Sequence, residues 1–151
     1  MLHLGKPSAE NLSFRQSLLE DPVTMAYNEA WGGCLPFPPE RWANWAARWL
    51  EDDERFYRYV LDEENRPVGE VAWHREEELI LCDVIIHSAY RHRGYGKEAL
   101  SLLLAAAKEA ALPALWDNIG AQNAPALALF LGAGFREISR TEDAILVKKD
   151  L

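Results

Sequence analysis

Three largely apolar runs lie in the middle of the chain, over residues 56–61, 67–74 and 78–87. Each run is rich in β-branched and aromatic residues, which is typical of strands. The polar segments 62–66 and 75–77, which separate the runs, are short enough to form hairpin turns. The pattern therefore predicts an antiparallel meander of three strands.

After the meander, the apolar residues have the spacing that is typical of helices. A long helix is predicted from about residue 95 to residue 111, where Pro113 stops it, and a shorter one over residues 124–131, ended by Gly132. Short strands are predicted over residues 114–119, 135–139 and 144–148.

The first 55 residues carry a weaker pattern. Residues 12–18 are predicted to be a first strand, residues 22–31 a short helix with Asp21 as its N-cap, and residues 40–50 a second helix. Residues 1–151 are therefore predicted to form a single α+β domain. Its sheet is expected to be mixed and mostly antiparallel, with roughly six to seven strands flanked by about four helices.

The composition excludes several classes of protein. A net charge of −8 argues against nucleic acid as a partner, because phosphate contacts need a basic face. The longest apolar run is too short to span a bilayer, and the first residues contain no apolar core of signal-peptide length. A cytoplasmic protein without a membrane partner is therefore expected. Cys34 and Cys82 have no companion ligands, so no metal is expected.

A basic island interrupts this acidic chain at the start of the long predicted helix. Arg91, Arg93 and Lys97 surround Gly94 and Gly96, with no acidic residue among them. The first turn of a helix has free N–H groups and a positive dipole end, and glycine lets an anion approach the backbone. The segment is therefore predicted to bind a diphosphate or a sugar phosphate, although a plain turn would also use these glycines.

A dinucleotide fingerprint is the competing interpretation of the same residues. Residues 94–99 match Gly-x-Gly-x-x-Ala, and Asp117 lies about twenty residues further on, which would suit a nicotinamide-dependent oxidoreductase. Two observations disfavour this alternative. Residues 87–93 separate the strand from the first glycine, and the strands upstream are predicted to be hairpins instead of alternating with helices.

Two ordered motifs resemble the GNAT superfamily of N-acetyltransferases. Residues 84–96 are similar to its acetyl-CoA-binding core, a hydrophobic strand followed by Arg/Gln-x-x-Gly-x-Gly/Ala. Residues 123–135 are similar to its downstream motif, Asn-x-x-Ala-x-x-Leu-Tyr-x-x-x-Gly-Phe. The resemblance implies a GNAT-like fold and an enzyme that transfers an acetyl group from acetyl-CoA to a primary amine of a small molecule or peptide. Relatives are often dimers, so a homodimer is also expected.

The resemblance also implies which residues bind acetyl-CoA. The main chain of Val84 and Ile86 would bind the pantetheine arm like an added strand, and the amides of the basic island would hold the pyrophosphate. Asn123 would contact the arm further along, although it also suits a helix N-cap. The expected cofactor-binding residues are Val84, Ile85, Ile86, Arg91, His92, Arg93, Gly94, Tyr95, Gly96, Lys97, Asn123 and Phe130.

The catalytic residues are less clearly marked. Phe130 stands where many members of the superfamily have a tyrosine that protonates the departing thiolate, and phenylalanine has no proton to give. Asp83 lies inside an apolar strand, where a carboxylate is costly unless it is used or paired. Asp83 and Glu70 are the candidate general bases, although both also suit the solvated face of a sheet. A CoA-binding sensor with little turnover is therefore a second interpretation.

The acceptor side is predicted from aromatic and acidic residues near the N-terminus. Trp42 and Trp45 share one face of a predicted helix and would either pack on the sheet or form a wall of the acceptor cleft. Many acidic residues surround them, which would suit a cationic amine.

Overall fold

The computed structural model describes residues 1–151 and contains one sheet of seven strands. The strands are β1 (His3–Gly5), β2 (Arg55–Leu61), β3 (Pro67–Glu76), β4 (Leu79–Ile86), β5 (Ala114–Gly120), β6 (Arg136–Arg140) and β7 (Ala144–Asp150). Their order across the sheet is β1-β2-β3-β4-β5-β7-β6. Every neighbouring pair is antiparallel except β4 and β5, which are parallel.

Helices cover both faces of this sheet. The α-helices are α1 (Ser13–Glu20), α2 (Trp42–Trp49), α3 (Tyr95–Glu109) and α4 (Ala124–Gly132). Short 3-10 helices span Thr24–Trp31, Pro39–Arg41 and Ser88–Tyr90. The predicted α+β architecture with a mostly antiparallel sheet is confirmed. No helix combines the length and the apolar character needed to cross a membrane.

Alternation along the strands divides the interior into two cores. Residues such as Val71 and Cys82 pack with α3 and Phe130 of α4 on one side, called here the α3 face. Tyr57 and Ala72 pack with α1 and α2 on the other side, called here the α2 face. Because β3 and β4 are buried on both faces, their apolar character is nearly continuous, and this is what made the meander predictable.

The predicted strand over residues 12–18 is wrong, since this segment enters helix α1. Leu12, Leu18 and Leu19 are buried there, at the spacing of one helical face. The first strand is instead β1, three residues that pair with β2 at the edge of the sheet.

A gap opens between the two parallel strands in the middle of the sheet. β4 and β5 pair only at Leu81 and Trp116 and diverge beyond that point. The doubly wound parallel sheet that the dinucleotide fingerprint requires is absent, because β2, β3 and β4 form an antiparallel meander. The divergence gives the molecule a cleft at its centre.

Candidate active site

The gap between β4 and β5 is a cleft of about 660 Å³. Its walls come from both strands, the loop before α3, helix α4 and the 3-10 helix Thr24–Trp31. Eight of the expected cofactor-binding residues line it: Val84, Ile85, Ile86, Arg91, His92, Gly96, Asn123 and Phe130. Arg93, Gly94, Tyr95 and Lys97 belong to the adjoining loop and the first turn of α3.

The edge of β4 presents main-chain hydrogen-bonding groups to this cleft. The His87 amide donates to the Val68 carbonyl at 2.9 Å, so the groups of this residue point towards β3. Main-chain groups alternate in direction along a strand, and those of Val84 and Ile86 therefore point towards the diverged β5. An extended amide-containing chain can pair with this edge in the manner of an added strand.

The loop that precedes α3 has the backbone of an anion site. Gly94 lies in the left-handed region with a φ of 79°, and His92 does so with a φ of 66°. The Glu98 amide donates to the Gly94 carbonyl at 3.2 Å. The amides of Tyr95, Gly96 and Lys97 belong to the first turn and have no carbonyl partner within the helix. These N–H groups and the helix dipole favour a bound pyrophosphate.

The basic side chains around this loop have different environments. His92, Arg93 and Lys97 are exposed and free to meet an anion. Arg91 is half-buried, and its guanidinium donates to the Ile86 carbonyl at 3.3 Å and to the Thr24 carbonyl at 3.0 Å. Arg91 therefore braces the end of β4 against the 3-10 helix.

Helix α4 closes the cleft from the α3 face. Asn123 caps it, since its Oδ1 accepts from the Ala126 amide at 3.3 Å. Phe130 is 2% exposed and packs against Phe135, with their ring centroids 4.9 Å apart. At the position where the motif usually carries a tyrosine, α4 therefore presents a phenyl ring that has no proton to donate.

Asp83 lies in the cleft on the α2 face. It pairs across the sheet with Ala72, whose neighbours on that face are Tyr57 and Glu70. The surrounding protein raises the pKa of the Asp83 carboxyl, the charge of Glu70 raises it further, and His74 and Arg15 oppose the increase. Asp83 remains accessible to solvent through the cleft.

Asp117 lies in the cleft on the opposite face. Leu81 pairs with Trp116, so these two share the face of Asp83, while Asp117 shares the α3 face with Cys82. Its neighbours along β5 on that face, Leu115 and Ile119, are buried in the core. Burial and the charge of Asp83 raise the pKa of the Asp117 carboxyl well above its usual range.

Glu70, the second candidate base, is 4% exposed and is held in a buried ion pair. Its two carboxylate oxygens accept from Arg15 at 2.6 and 2.8 Å. The Tyr57 hydroxyl also donates to it, at 2.6 Å. The side chain does not line the cleft.

The tryptophans proposed for the acceptor wall pack on the sheet and do not line the cleft. The Trp42 indole N–H donates to the Phe37 carbonyl at 3.1 Å. Trp45 meets Tyr57 edge to face at a centroid distance of 4.7 Å. The interpretation of these residues as a packed helix face is therefore the one that the structure supports.

The aromatic wall of the cleft comes from the 3-10 helix Thr24–Trp31, which the sequence reasoning did not select. Tyr27, Asn28 and Trp31 line the cleft, and the two aromatic residues are 42% and 53% exposed. A Cβ at Gly120 would lie 3.1 Å from the Trp31 ring, so glycine is needed for this close approach. In the sequence, the only indication of this role was that Tyr27 and Trp31 both lie in a short segment. Such a segment can bury one face, so large aromatic side chains on its other face stay exposed.

An acidic clamp ties this 3-10 helix to the loop after β4. One carboxylate oxygen of Asp21 accepts from Ser88 Oγ and from Thr24 Oγ1, both at 2.5 Å. These hydrogen bonds, that of Ser88 first, lower the pKa of Asp21 to about 2. The aromatic wall is therefore fixed to the cofactor side of the cleft throughout the neutral pH range.

A second cavity of about 630 Å³ adjoins the cleft and shares Tyr27, Trp31, Gly120 and Asn123 with it. It lies between the 3-10 helix and the turn that joins β6 to β7. Three acidic residues line it, Glu29, Glu142 and Asp143, and no Lys, Arg or His does so.

Comparison with known proteins agrees with this geometry. The model of the acetyltransferase (GNAT) family matches residues 18–135. No curated protein matches the chain in sequence.

Solved structures share the fold at low sequence identity. A spermidine N-acetyltransferase from Vibrio cholerae, in complex with CoA and spermine, has a TM-score of 0.84 at 16% identity, with coverage of 99% of this chain and 95% of that one. A GNAT-family acetyltransferase from Bacillus anthracis has a TM-score of 0.80 at 18% identity, with coverage of 99% and 94%. An acetyltransferase from Thermus thermophilus has a TM-score of 0.79 at 21% identity, with coverage of 100% and 97%.

Proposed function

The chain belongs to the acetyltransferase (GNAT) family, and on that premise we propose that its acceptor is a small polycationic amine. It is an acyltransferase that carries an acetyl group from acetyl-CoA to an amine.

The acidic second cavity is the observation that carries the choice of acceptor. Glu29, Glu142 and Asp143 line it without a balancing cation, and it shares Tyr27 and Trp31 with the adjoining cleft. Carboxylates attract an ammonium group, and aromatic faces bind cations. An amine with two or more separated positive charges would place one nitrogen at the reacting centre and another in this acidic cavity.

The donor side fits acetyl-CoA, which supplies an activated acetyl group as a thioester. We assign the pyrophosphate to the amides of Tyr95, Gly96 and Lys97, with Arg93 and Lys97 as the nearby cations. The main chain of Val84 and Ile86 would hold the pantetheine arm. The Ile86 amide would also stabilise the oxyanion that forms on the acetyl carbonyl.

Asp83 is the base that this arrangement favours. A primary amine has a pKa of about 10, so it must lose a proton before it can attack. Asp83 lies in the cleft on the acceptor face, carries no ion pair, and has a raised pKa that makes it a stronger base. Glu70 instead accepts hydrogen bonds from Arg15 and Tyr57, which leaves it poorly placed to take another proton.

A panel of amines tests the proposed acceptor. Thiol release from acetyl-CoA is measured with spermidine, with a monoamine of similar length and with a lysine-containing peptide. The expected order places spermidine first in kcat/KM. Glu142→Gln is expected to raise the KM for spermidine about three-fold at unchanged kcat, since an exposed charge pair contributes up to about 1 kcal/mol. The matched control is Glu109→Gln, at the exposed end of α3, which removes the same charge outside both cavities.

Two results of this panel would refute the polycation assignment. One is a monoamine that is used as well as spermidine. The other is an equal effect of Glu142→Gln and Glu109→Gln on the KM. Preferential use of the peptide would instead identify a lysine side chain as the acceptor.

A second candidate function rests on Phe130. Because its ring has no proton to donate, a CoA-binding sensor with little turnover stays a proposal until the product is measured. The homodimer and the cytoplasmic location also stay predictions of the sequence, and light scattering measures the first of them.

A further inference from the structure

We propose that the Asp117 carboxyl protonates the departing thiolate of CoA and so replaces the tyrosine that is missing at Phe130. The inference rests on the acetyl transfer proposed for the cleft between β4 and β5, and it is independent of which amine is the acceptor. Asp117 is the one carboxyl on the α3 face of that cleft.

The two cleft carboxyls lie on opposite sides of the parting strands. The pairing of Leu81 with Trp116 puts Asp83 on the α2 face, which the 3-10 helix Thr24–Trp31 also covers through Met25. The same pairing puts Asp117 on the α3 face, towards α4 and Phe130. A base is needed on the side of the amine, and an acid is needed on the side of the thiol. The pairing of Leu81 with Trp116 therefore places the candidate base and the candidate acid on opposite faces of the sheet.

The surroundings of Asp117 favour its protonated form. Leu115 and Ile119 flank it on the same face, and both are buried in the core. The nearest titratable groups are Cys82 on the same face and, across the cleft, Asp83 and Tyr27, and none of these is a cation at neutral pH. A carboxyl that is desolvated beside another carboxyl keeps its proton to higher pH.

Asp83 differs from Asp117 in the cations that it faces. Arg15 and His74 partly offset the increase in the Asp83 pKa that comes from its partial desolvation in the cleft and from the charge of Glu70. No cation opposes the increase at Asp117. When environments shift two neighbouring titratable groups by different amounts, the group with the higher pKa serves as the acid and the other as the base.

The proton and electron balance closes within this pair. The acceptor ammonium first releases one proton to bulk water by way of Asp83, which returns to its carboxylate form. The lone pair of the neutral amine then forms the C–N bond, and a second nitrogen proton passes to the Asp83 carboxylate. The C–S bond breaks with its electron pair on sulfur, and the Asp117 proton converts that thiolate to the thiol. Asp83 ends protonated and Asp117 ends ionised. Transfer of one proton between the two carboxyls, directly or through water, restores the starting state.

The pH dependence of turnover distinguishes the acid from the base. In the unmodified protein, kcat should fall at low pH, when Asp83 is protonated, and at high pH, when Asp117 is ionised. Asp117→Asn is expected to lower kcat by roughly 10²-fold and to remove the alkaline limb while the acidic limb stays. Asp83→Asn should remove the acidic limb instead. Glu109→Gln, outside the cleft, serves as the matched control and should leave both limbs in place.

A second measurement needs neither substrate nor turnover. Carboxyl carbons of ¹³C-labelled aspartate are titrated by NMR in the free protein, and the signal lost in Asp117→Asn identifies its titration. The account expects that carboxyl to be protonated at neutral pH. An ionised Asp117 at neutral pH would overturn the proposal, and so would an alkaline limb that persists in Asp117→Asn.

The pH dependence of thermal stability gives an independent test of the raised Asp117 pKa. A carboxyl whose pKa is higher in the folded than in the unfolded state binds more protons when folded, so its contribution is lost as pH rises through the folded pKa. The thermal midpoint of the unmodified protein should therefore fall above about pH 4 more steeply than that of Asp117→Asn. Equal slopes would contradict a raised pKa.

Failure of every amine in the panel would refute the proposed function. The NMR titration and the thermal unfolding would still decide the protonation state of Asp117.

Discussion

The guanidinium of Arg15 connects α1, α2 and β3 on the α2 face of the sheet. Arg15 of α1 forms an ion pair with Glu70 of β3, in which Nη1 donates to both carboxylate oxygens. The Arg15 guanidinium carbon lies 4.5 Å from the centroid of the Trp45 ring of α2. Side chains of both partners are almost inaccessible, at 16% and 6% exposure. A buried ion pair of this kind adds little when intact and is costly when one partner is removed. Glu70 therefore holds α1 and α2 against the sheet.

Glu70→Gln tests this structural role against catalysis. The change leaves Arg15 buried with half of its partner's charge-assisted hydrogen bonds, and should lower the free energy of unfolding by about 3 kcal/mol. Urea unfolding measures the loss. The double variant Arg15→Met with Glu70→Leu should recover much of it, because both charges are then gone. A catalytic base would behave differently, with a large fall in kcat and unchanged stability.

Residues differ in how far their role could be predicted. Asp83 could be selected from the sequence, because a carboxylate inside an apolar strand is costly unless it has a task. The role of Glu70 could not, since its partner Arg15 lies 55 positions away. Tyr27 and Trp31 were missed because only the folded 3-10 helix turns them into the cleft. The aromatic spacing of Trp42 and Trp45 suited two roles, and packing decided between them.

At the scale of elements, the donor site depends on the junction between β4 and α3. The strand contributes an unpaired edge and the helix contributes free amides, and the left-handed Gly94 makes the turn between them. All three features follow from backbone geometry, which is why a short sequence motif was enough to propose this site. Asp21 and Arg91 then attach the 3-10 helix to the same junction, so donor and acceptor walls are held together.

Gly94→Glu tests the junction. A carboxylate at this position would face the pyrophosphate, so binding of CoA should be lost to calorimetric titration. Gly94→Asn is the control for backbone strain, since asparagine tolerates a left-handed backbone at low cost. Gly132→Glu, at the exposed end of α4, is the control for charge. Unchanged affinity in Gly94→Glu, or equal losses in all three variants, would contradict the assignment of this loop.

The elements that the sequence predicted wrongly are the ones with the fewest neighbours. The meander was predictable because each strand is long, apolar and paired on both sides. β1 spans three residues and carries no periodic signal. Over a segment as short as residues 12–18, the apolar positions fit the period of a strand and that of a helix equally well. The segment is helical because this conformation buries Leu12 and Leu18 in the core.

For the whole molecule, the divergence of β4 and β5 organises the chemistry. It exposes the edge of one strand, opens a cleft through the sheet, and leaves one carboxyl on each face. The net charge of −8 has a local meaning here, because acidic residues gather at the acceptor side and the basic loop stands at the donor side. This arrangement of charge suits an anionic donor on one wall and the proposed polycationic acceptor on the other.

Formation of an acetylated amine is the measurement that tests this account most directly. The protein is incubated with acetyl-CoA and spermidine, and mass spectrometry follows acetylspermidine while thiol release is recorded in parallel. The account predicts equal amounts of both products, with turnover reduced by at least roughly 10²-fold in Asp83→Asn. Binding of acetyl-CoA without any acetylated amine, or equal turnover in Asp83→Asn, would contradict it.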